Sequence, residues 1–253
     1  MTLLSIRGVS KRFGGLQAVD NVSFDVAQGT IKALIGPNGA GKTTLFNLIS
    51  GVMPPDAGEI RFNGAPVQGL KPHEIAARGM SRTFQHIRLF PKMTVQENVM
   101  MGRHIHSRAG FIAGMLNLPY TWAEERRIRE KSREILEMLG ISERAPEVAT
   151  SLAYGQQRVV ELGRALACEP RLLLLDEPAA GLNIRETVDM GKMIGKIRDM
   201  GVTVLLVEHD MSLVMNISDE VIVLSYGQKI AEDRPLAIQK NTEVVRVYLG
   251  EDA

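Results

Sequence analysis

Apolar runs alternate with turn-forming residues along the chain, and this pattern predicts the order of the central elements. Residues 31–35, Ile-Lys-Ala-Leu-Ile, form a mostly apolar run that is typical of a buried strand. Residues 44–49 then carry apolar side chains at helical spacing, and Gly51 ends this predicted helix. The runs Leu172–Leu175 and Val202–Val207 are also apolar, and they predict buried parallel strands. A helical pattern near residues 184–200 lies between them, so the chain follows the alternation of an α/β fold.

Other segments predict antiparallel strands, because they lie next to turns that contain glycine. These segments are Ile6–Val9, Val22–Val26, Glu59–Phe62, Val221–Leu224 and Lys229–Ala231. Asn63-Gly64 and Tyr226-Gly227 are the hairpin turns of this set. We therefore expect an antiparallel β region around the glycine-rich segment 36–43.

A charged segment in the middle of the chain predicts an amphipathic helix over Glu124–Leu139. Ile128, Ile135, Leu136 and Leu139 fall on one face of this helix. Glu125 and Arg129 are spaced as an i,i+4 ion pair on its solvated face.

A glycine-rich loop follows the predicted strand 31–35 and predicts phosphate binding. Residues 36–43 read Gly-Pro-Asn-Gly-Ala-Gly-Lys-Thr, which matches the G-x-x-x-x-G-K-[ST] pattern. In such a loop the backbone N–H groups and the following helix N-terminus face the phosphates. Lys42 is expected to reach the β- and γ-phosphates, and the Thr43 hydroxyl to ligate Mg²⁺. The candidate nucleotide-binding residues here are Gly36, Pro37, Asn38, Gly39, Ala40, Gly41, Lys42, Thr43 and Thr44.

Polar residues at the ends of two other predicted strands point to hydrolysis of the bound triphosphate. Asp176 and Glu177 follow the run 172–175, and ligands of α/β sheets bind at such carboxyl ends of strands. Asp176 is a candidate Mg²⁺ ligand. Glu177 is a candidate base for the attacking water. His209 follows the run 202–207 and is a candidate for sensing the γ-phosphate and orienting the water.

Composition narrows the choice of partners. The chain has 253 residues and a formal net charge of +1, which disfavours nucleic acid as a partner. Its single cysteine, Cys168, is expected at a helix end as a small buried side chain rather than as a reactive thiol. The N-terminus lacks a secretory signal and the apolar runs are too short to cross a bilayer, so a membrane role is expected to come through a partner.

In the order of these motifs, the chain resembles the ATP-binding cassette family of transporter subunits. The loop 36–43 is its phosphate loop, and Thr83-Phe84-Gln85 resembles its glutamine loop. Asp176-Glu177 resembles the family's acidic pair, and His209 its switch histidine. Leu152, Ala153, Tyr154, Gly155 and Gln156 stand where the family has its signature, usually Leu-Ser-Gly-Gly-Gln. We refer to Leu152–Gln156 as the signature segment.

The resemblance implies roles for several residues. It gives Gln85 a contact with Mg²⁺ and with the attacking water. The predicted catalytic residues are therefore Glu177, His209 and Gln85. The predicted metal ligands are Thr43, Gln85 and Asp176. It also places Phe13 against the adenine ring and assigns Ala180–Asn183 to the family's D-loop.

The family fold implied is a P-loop NTPase core with a mostly parallel sheet, an N-terminal antiparallel β subdomain and an inserted α-helical subdomain. Residues 1–84 and 164–253 are expected to form the ATP-binding core, and residues 85–163 the helical signature subdomain. The cofactors are ATP and Mg²⁺. Two cassettes are expected to pack head to tail, so that each ATP lies between one phosphate loop and the partner's signature segment. The other partners implied are two permease subunits and, indirectly, a substrate-binding protein, at the cytoplasmic face of the inner membrane.

Three residues depart from the family pattern. Ala153 replaces the signature serine, which removes one hydroxyl hydrogen bond to the γ-phosphate. Tyr154 replaces a glycine, and Asn183 replaces the usual aspartate of the D-loop. Backbone N–H groups near Gly155 can still bind the anion. Because none of these changes removes Lys42, Asp176, Glu177 or His209, we expect an active hydrolase.

With these departures, the segments Leu152–Arg158 and Asp176–Asn183 resemble those of the cassettes of bacterial branched-chain amino acid importers. Phe84–Phe90, the insert Arg108–Phe111 and the C-terminal Tyr248–Glu251 carry this resemblance further. The alternatives are a cassette of an amide or urea importer, a cassette of a lipid exporter, and an ATPase that works without a membrane partner. The last usually has two cassettes or a long coiled coil, and no sustained heptad pattern is seen between residues 85 and 165. Phosphotransfer to a small molecule is disfavoured, since Glu177 and His209 suit water activation.

Overall fold

Two β-sheets organise the chain, which a computed structural model describes over residues 1–106 and 119–249. Sheet A is antiparallel, in the order β2-β1-β4-β5. Its strands are β1 (Thr2–Phe13), β2 (Leu16–Ala27), β4 (Ala57–Phe62) and β5 (Ala65–Pro66). Ile6 of β1 stands opposite Phe24 of β2 and Ile60 of β4, so apolar side chains meet on one face.

Sheet B is the central sheet, in the order β10-β9-β3-β8-β7-β6. Its strands are β3 (Ile31–Ile35), β6 (Met80–Arg82), β7 (Leu172–Asp176), β8 (Thr203–Val207), β9 (Glu220–Ser225) and β10 (Gln228–Asp233). The pairs are parallel except for β9 with β10, which form the antiparallel hairpin expected around Tyr226-Gly227. The predicted α/β fold with a mostly parallel sheet and an N-terminal antiparallel sheet is therefore confirmed.

Helices connect and cover the strands. They are α1 (Lys42–Ile49), α2 (Pro72–Ala77), α3 (Val95–Arg103), α4 (Pro119–Met138), α5 (Tyr154–Ala167), α6 (Ile184–Asp199), α7 (Met211–Ile217), α8 (Pro235–Lys240) and α9 (Thr242–Leu249). Short 3-10 turns lie at His104–His106, Ser142–Arg144 and Ala149–Ser151. The predicted helix 124–139 corresponds to α4, and its Glu125–Arg129 ion pair forms at 3.0 Å.

Apolar layers cover both faces of sheet B, which explains why its strands are continuous apolar runs. Leu173 and Leu175 of β7 face a cluster that includes residues of α3, α5 and α6. Leu172 and Leu174 face the other cluster, with α1 and sheet A. The alternation of side chains along each strand thus divides the core into two layers.

Sheet A is larger than the apolar pattern predicts. The strands β1 and β2 have twelve residues each, whereas the sequence pattern marked only four or five in each. The added positions mix buried apolar side chains, such as Leu4 and Val19, with more exposed polar ones, such as Arg12 and Gln17. Because apolar and polar residues are interspersed there, the ends of the strands do not stand out as apolar runs.

The predicted division at residue 163 falls inside α5, and the assignment of residues 85–163 to a separate subdomain stays a prediction. The insert Arg108–Phe111 lies outside the described residues, as do Gly250 and Glu251.

Candidate active site

The phosphate loop lies between the carboxyl end of β3 and the start of α1, as the sequence predicts. Glycine is required at two of its positions by close backbone approach. A Cβ atom at Gly36 would lie 2.2 Å from the carbonyl oxygen of Leu224, and one at Gly41 2.3 Å from that of Ala18. Gly41 also has a left-handed φ of 99° just before α1. The loop is therefore clamped between β9 and β2 with its helix N-terminus directed at the site.

The ammonium group of Lys42 is hydrogen-bonded to the backbone of the phosphate loop. Its Nζ atom donates to the carbonyl oxygens of Gly36, at 2.6 Å, and Pro37, at 2.9 Å. Burial lowers the pKa of Lys42, and the nearby Glu177 carboxylate opposes that shift. An ammonium group that has lost part of its hydration is a strong site for an anionic ligand.

A cavity of about 460 Å³ opens over the loop and brings together residues from distant parts of the chain. The loop residues from Asn38 to Thr44 form its floor. Phe13 and Tyr226 stand at its sides, both with exposed rings, and Gln85 and Glu177 complete it. The cavity therefore offers a cradle for phosphates next to aromatic surfaces that can stack on a base.

Glu177 is approached by two of the predicted catalytic residues. The Nε2 atom of Gln85 donates to Oε2 of Glu177 at 3.0 Å. The Nδ1 atom of His209 lies 3.9 Å from the same oxygen. The Glu177 backbone has a left-handed φ of 49°, an unusual conformation for a residue with a side chain. Gln85, Glu177 and His209 thus converge beside the phosphate loop.

Asp176 is buried and anchored to α1 through an arginine that the sequence pattern did not single out. The Nη2 atom of Arg82 lies 2.8 Å from Oδ2 of Asp176. The Nη1 atom of the same guanidinium donates to Asn47 and Ser50 of α1, at 2.8 Å and 2.7 Å. Arg82 therefore fixes the carboxylate relative to the helix that follows the phosphate loop.

Glu208 is a second residue whose role sequence reasoning missed. Its side chain is fully buried and accepts backbone N–H groups of Ala179, at 2.8 Å, and of His209, also at 2.8 Å. It thereby joins the end of β8 to the segment after Glu177. The sequence shows an acidic residue directly after an apolar strand, but this pattern does not distinguish a structural carboxylate such as Glu208 from an ordinary turn residue beside His209.

The predicted metal ligands fit Mg²⁺ in the nature of their donor atoms. Thr43, Gln85 and Asp176 offer a hydroxyl, an amide oxygen and a carboxylate, and Mg²⁺ prefers such oxygen ligands. Within residues 1–106 and 119–249 no group of three or more His, Cys, Asp and Glu residues is arranged to hold a metal. A site with one carboxylate is typical of Mg²⁺ that is bound together with substrate phosphates.

The signature segment lies elsewhere. The described residues that line the cavity over the phosphate loop do not include Leu152, Ala153, Tyr154, Gly155 or Gln156. Ala153 is the N-cap of α5, and Tyr154 begins the helix with its ring exposed. A Cβ atom at Gly181 would lie 2.9 Å from the Tyr154 ring, so the ring packs on this glycine.

Helix α5 links the signature segment to the glutamine loop. Arg158 donates to the carbonyl oxygens of Phe84, at 3.0 Å, and Gln85, at 2.6 Å, and to the hydroxyl of Tyr154, at 3.0 Å. Glu161 is buried one turn on, and its Oε2 lies 3.6 Å from Nη1 of Arg158. Burial raises the pKa of Glu161, and the neighbouring arginines oppose that shift. Tyr154 and Gln85 are therefore connected through a single guanidinium.

The C-terminal helix also reaches the phosphate loop. Burial raises the pKa of Tyr248 on α9 to about 12, while the backbone N–H of Gly36 acts in the opposite direction by donating to the phenolic oxygen.

Among the described residues no helix is long and apolar enough to span a membrane.

Comparison with known proteins identifies close relatives. Residues 19–180 match the family described as ABC transporter. The branched-chain amino acid transport ATP-binding protein BraF of Pseudomonas aeruginosa is 46% identical over 250 residues, covering 98% of both chains. Its counterpart LivG of Escherichia coli is 43% identical with the same coverage.

Solved structures that are similar to this chain are also ATP-binding cassettes of ABC transporters. An ATP-binding cassette of an ABC transporter in its ADP conformation has a TM-score of 0.87 and 34% identity, covering 99% of this chain and 100% of that one. A bacterial ABC transporter cassette solved as a dimer has a TM-score of 0.78 and 25% identity, covering 92% and 99%. These matches cover nearly the whole chain. They agree with the phosphate loop and with the placement of Gln85, Glu177 and His209 beside it. The chain belongs to the ABC transporter family, as an ATP-binding cassette.

Proposed function

We propose that this chain is the ATP-hydrolysing subunit of an importer of branched-chain amino acids. The observation that carries the proposal is the cavity in which Lys42, Gln85 and Glu177 meet, with His209 beside them. The cargo is inferred from the relatives BraF and LivG, which are named for branched-chain amino acid transport.

Each residue has a role that its surroundings support. Lys42 and the loop N–H groups hold the triphosphate, and Phe13 stacks on the base. Glu177 accepts the proton of the attacking water, and the amide of Gln85 holds this carboxylate in place. His209 lies close enough to Glu177 to orient the same water. Thr43, Gln85 and Asp176 would hold Mg²⁺, which neutralises charge on the phosphates when bound.

A second cassette completes the site in this proposal. The signature segment does not line the cavity of its own chain, so it is available to cover the nucleotide of a partner. The dimeric cassette among the similar structures supports this arrangement. Two permease subunits and a substrate-binding protein would supply the path for the cargo, and the cassette would lie at the cytoplasmic face of the inner membrane. Residues 1–84 and 164–253 form the ATP-binding core, and residues 85–163 the part that docks the permease.

The assembly can be tested by affinity purification of Glu177→Gln protein with ATP from native membranes. This variant keeps the shape of the side chain and loses its base, so it is expected to hold the closed dimer. The expected result is recovery of two multi-span proteins and a second cassette. Ribosomes or DNA in their place would contradict the proposal.

The cargo can be tested in proteoliposomes that contain the purified assembly and its binding protein. We expect ATP-dependent uptake of labelled leucine, isoleucine and valine, and no uptake with Lys42→Ala protein. Uptake of urea or short amides without uptake of leucine would show that the mechanism is right and the cargo wrong.

A further inference from the structure

A second cavity lies at the opposite edge of sheet B from the nucleotide site. Its volume is about 320 Å³, and Pro170 and Val202 line it just before β7 and β8 begin. Asp176 and His209 stand at the other ends of these two strands. The five residues of β7 span about 16 Å at roughly 3.3 Å per residue, so the two cavities are separate.

Most of the wall of this second cavity is apolar. Helices α4 and α5, the segment before β7 and the segment between α6 and β8 all contribute to it. The apolar residues are Ile135, Met138, Leu166, Pro170, Met200 and Val202. Three of them come from α4 and α5, and Pro170 and Val202 precede strands of sheet B, so a ligand here would lie between these helices and the end of the sheet.

Charged side chains of both signs complete the lining. Arg103, at the end of α3, forms an ion pair with Glu169. Lys131 pairs with Glu134 at 2.6 Å on α4. Arg103 is only 7% exposed, and its Nε atom is buried without a hydrogen-bond acceptor among the described residues. A buried guanidinium with an unused donor favours a ligand that brings a carboxylate.

We propose that this cavity binds an apolar α-amino acid. The carboxylate of the ligand would accept from Arg103 and Lys131, its ammonium group would meet Glu134, and its aliphatic side chain would lie on the apolar wall. The identity of the ligand rests on the proposed function, since branched-chain amino acids are the cargo inferred for the transporter. A site on the cassette would let the transporter respond to the imported pool.

The chemistry of the lining separates this site from a second nucleotide or phosphate site. The nucleotide cavity has a glycine-rich loop whose N–H groups converge on one point, whereas here the two cations each face a carboxylate. Paired charges next to an aliphatic wall match a zwitterion with an aliphatic side chain better than a multiply charged anion.

The test uses the full chain and isothermal titration calorimetry with L-leucine. We expect saturable binding with one site per chain. Three probes dissect the ligand: glycine lacks the aliphatic side chain, 4-methyl-2-oxopentanoate lacks the ammonium group, and isoamylamine lacks the carboxylate. Each is expected to bind at least about tenfold more weakly than leucine, because each leaves a charged group or the apolar wall without its partner.

Variants locate the site. Arg103→Met is expected to abolish leucine binding. Because Arg103 is buried and its loss could affect folding, Lys131→Met and Glu134→Gln serve as variants of exposed side chains on α4, and each is expected to weaken leucine binding about tenfold. The matched control is Lys192→Met, which breaks an exposed i,i+3 pair with Asp189 on α6 and should leave leucine binding unchanged.

The outcomes distinguish this proposal from the proposed function. Absence of leucine binding by protein that still hydrolyses ATP and supports leucine uptake would overturn the site and leave the function intact. Leucine binding that is insensitive to Lys131→Met and Glu134→Gln would also overturn the site. Binding that these variants weaken, in a transporter that does not take up leucine, would support the site and contradict the function.

Discussion

Glu177 is the residue on which hydrolysis is expected to depend most, because Gln85 and His209 both approach its carboxylate. Replacing it with glutamine preserves the shape and the hydrogen-bonding capacity of the side chain but removes the base. For Glu177→Gln we expect steady-state ATP hydrolysis to fall about 10²- to 10⁴-fold while ATP binding remains. Phosphate release and nucleotide binding would be measured on the same preparation. Glu143→Gln, a change on an exposed turn, serves as the control and should retain full activity.

Cys168 allows a second measurement at the scale of one residue, since the chain has a single cysteine. Burial raises the pKa of its thiol, while nearby Arg164 and Arg103 oppose the shift. A raised thiol pKa means that less thiolate is present near pH 7.5 than in an unfolded chain. We therefore expect iodoacetamide to label the folded protein more slowly than the urea-unfolded protein at that pH. The labelling rate should rise steadily with pH beyond the ordinary range of cysteine titration. Labelling of folded and unfolded protein at equal rates would contradict this prediction.

Helix α5 is the element that connects the two halves of the proposed site. Its first turns carry Tyr154 and Arg158, and Arg158 holds the backbone of Phe84 and Gln85. Gln85 in turn bonds the carboxylate of Glu177. A movement of α5 would therefore reach Glu177, the proposed base for the attacking water, through two hydrogen-bonded contacts.

Arg158→Met tests how much this helix depends on its buried guanidinium. The change leaves two carbonyl oxygens without their donor and Glu161 without one of its neighbouring cations, so we expect unfolding free energy to fall by about 3–5 kcal/mol. Tyr154→Phe removes one hydrogen bond and should cost about 0.5–1.5 kcal/mol. The control, Arg133→Met, breaks an exposed pair with Glu137 on α4 and should cost about 0–1 kcal/mol. Urea unfolding curves measure all three, and equal losses for Arg158 and Arg133 would contradict the assignment.

Elements differ in how far the sequence could predict them, and the reason lies in their burial. Strands β7 and β8 are buried on both faces, so their apolar runs predict them within a residue or two. The ends of β1 and β2 are polar on one face and leave little signal. The Arg82–Asp176 ion pair joins residues 94 positions apart, and no local pattern separates Arg82 from other arginines near strand ends. The phosphate loop was predictable because its chemistry needs a contiguous segment, whereas Arg158 acts through tertiary contacts.

At the scale of the whole molecule, the separation of the signature segment from the phosphate loop leads to a test of the composite site. Lys42→Ala removes the phosphate-loop charge, and Gly155→Asp places a carboxylate where the partner's nucleotide would bind and close to Glu186. Homodimers of either variant have two damaged sites. A mixed dimer has one site in which both defects meet and another built from the intact phosphate loop of one chain and the intact signature segment of the other. We therefore expect mixtures of the two inactive variants to regain ATP hydrolysis.

The matched control places both changes in one chain and mixes it with wild-type protein. In that mixed dimer each site contains one defect, so no intact site remains and hydrolysis should fall to the level contributed by wild-type homodimers. Thermal unfolding of each variant establishes that Gly155→Asp protein is folded before mixing. A gain in hydrolysis with the two single variants, and none with the double variant, is the pattern expected of shared sites. If each chain instead hydrolysed ATP alone, mixing the single variants would give no gain, and the double variant would leave the wild-type activity unchanged.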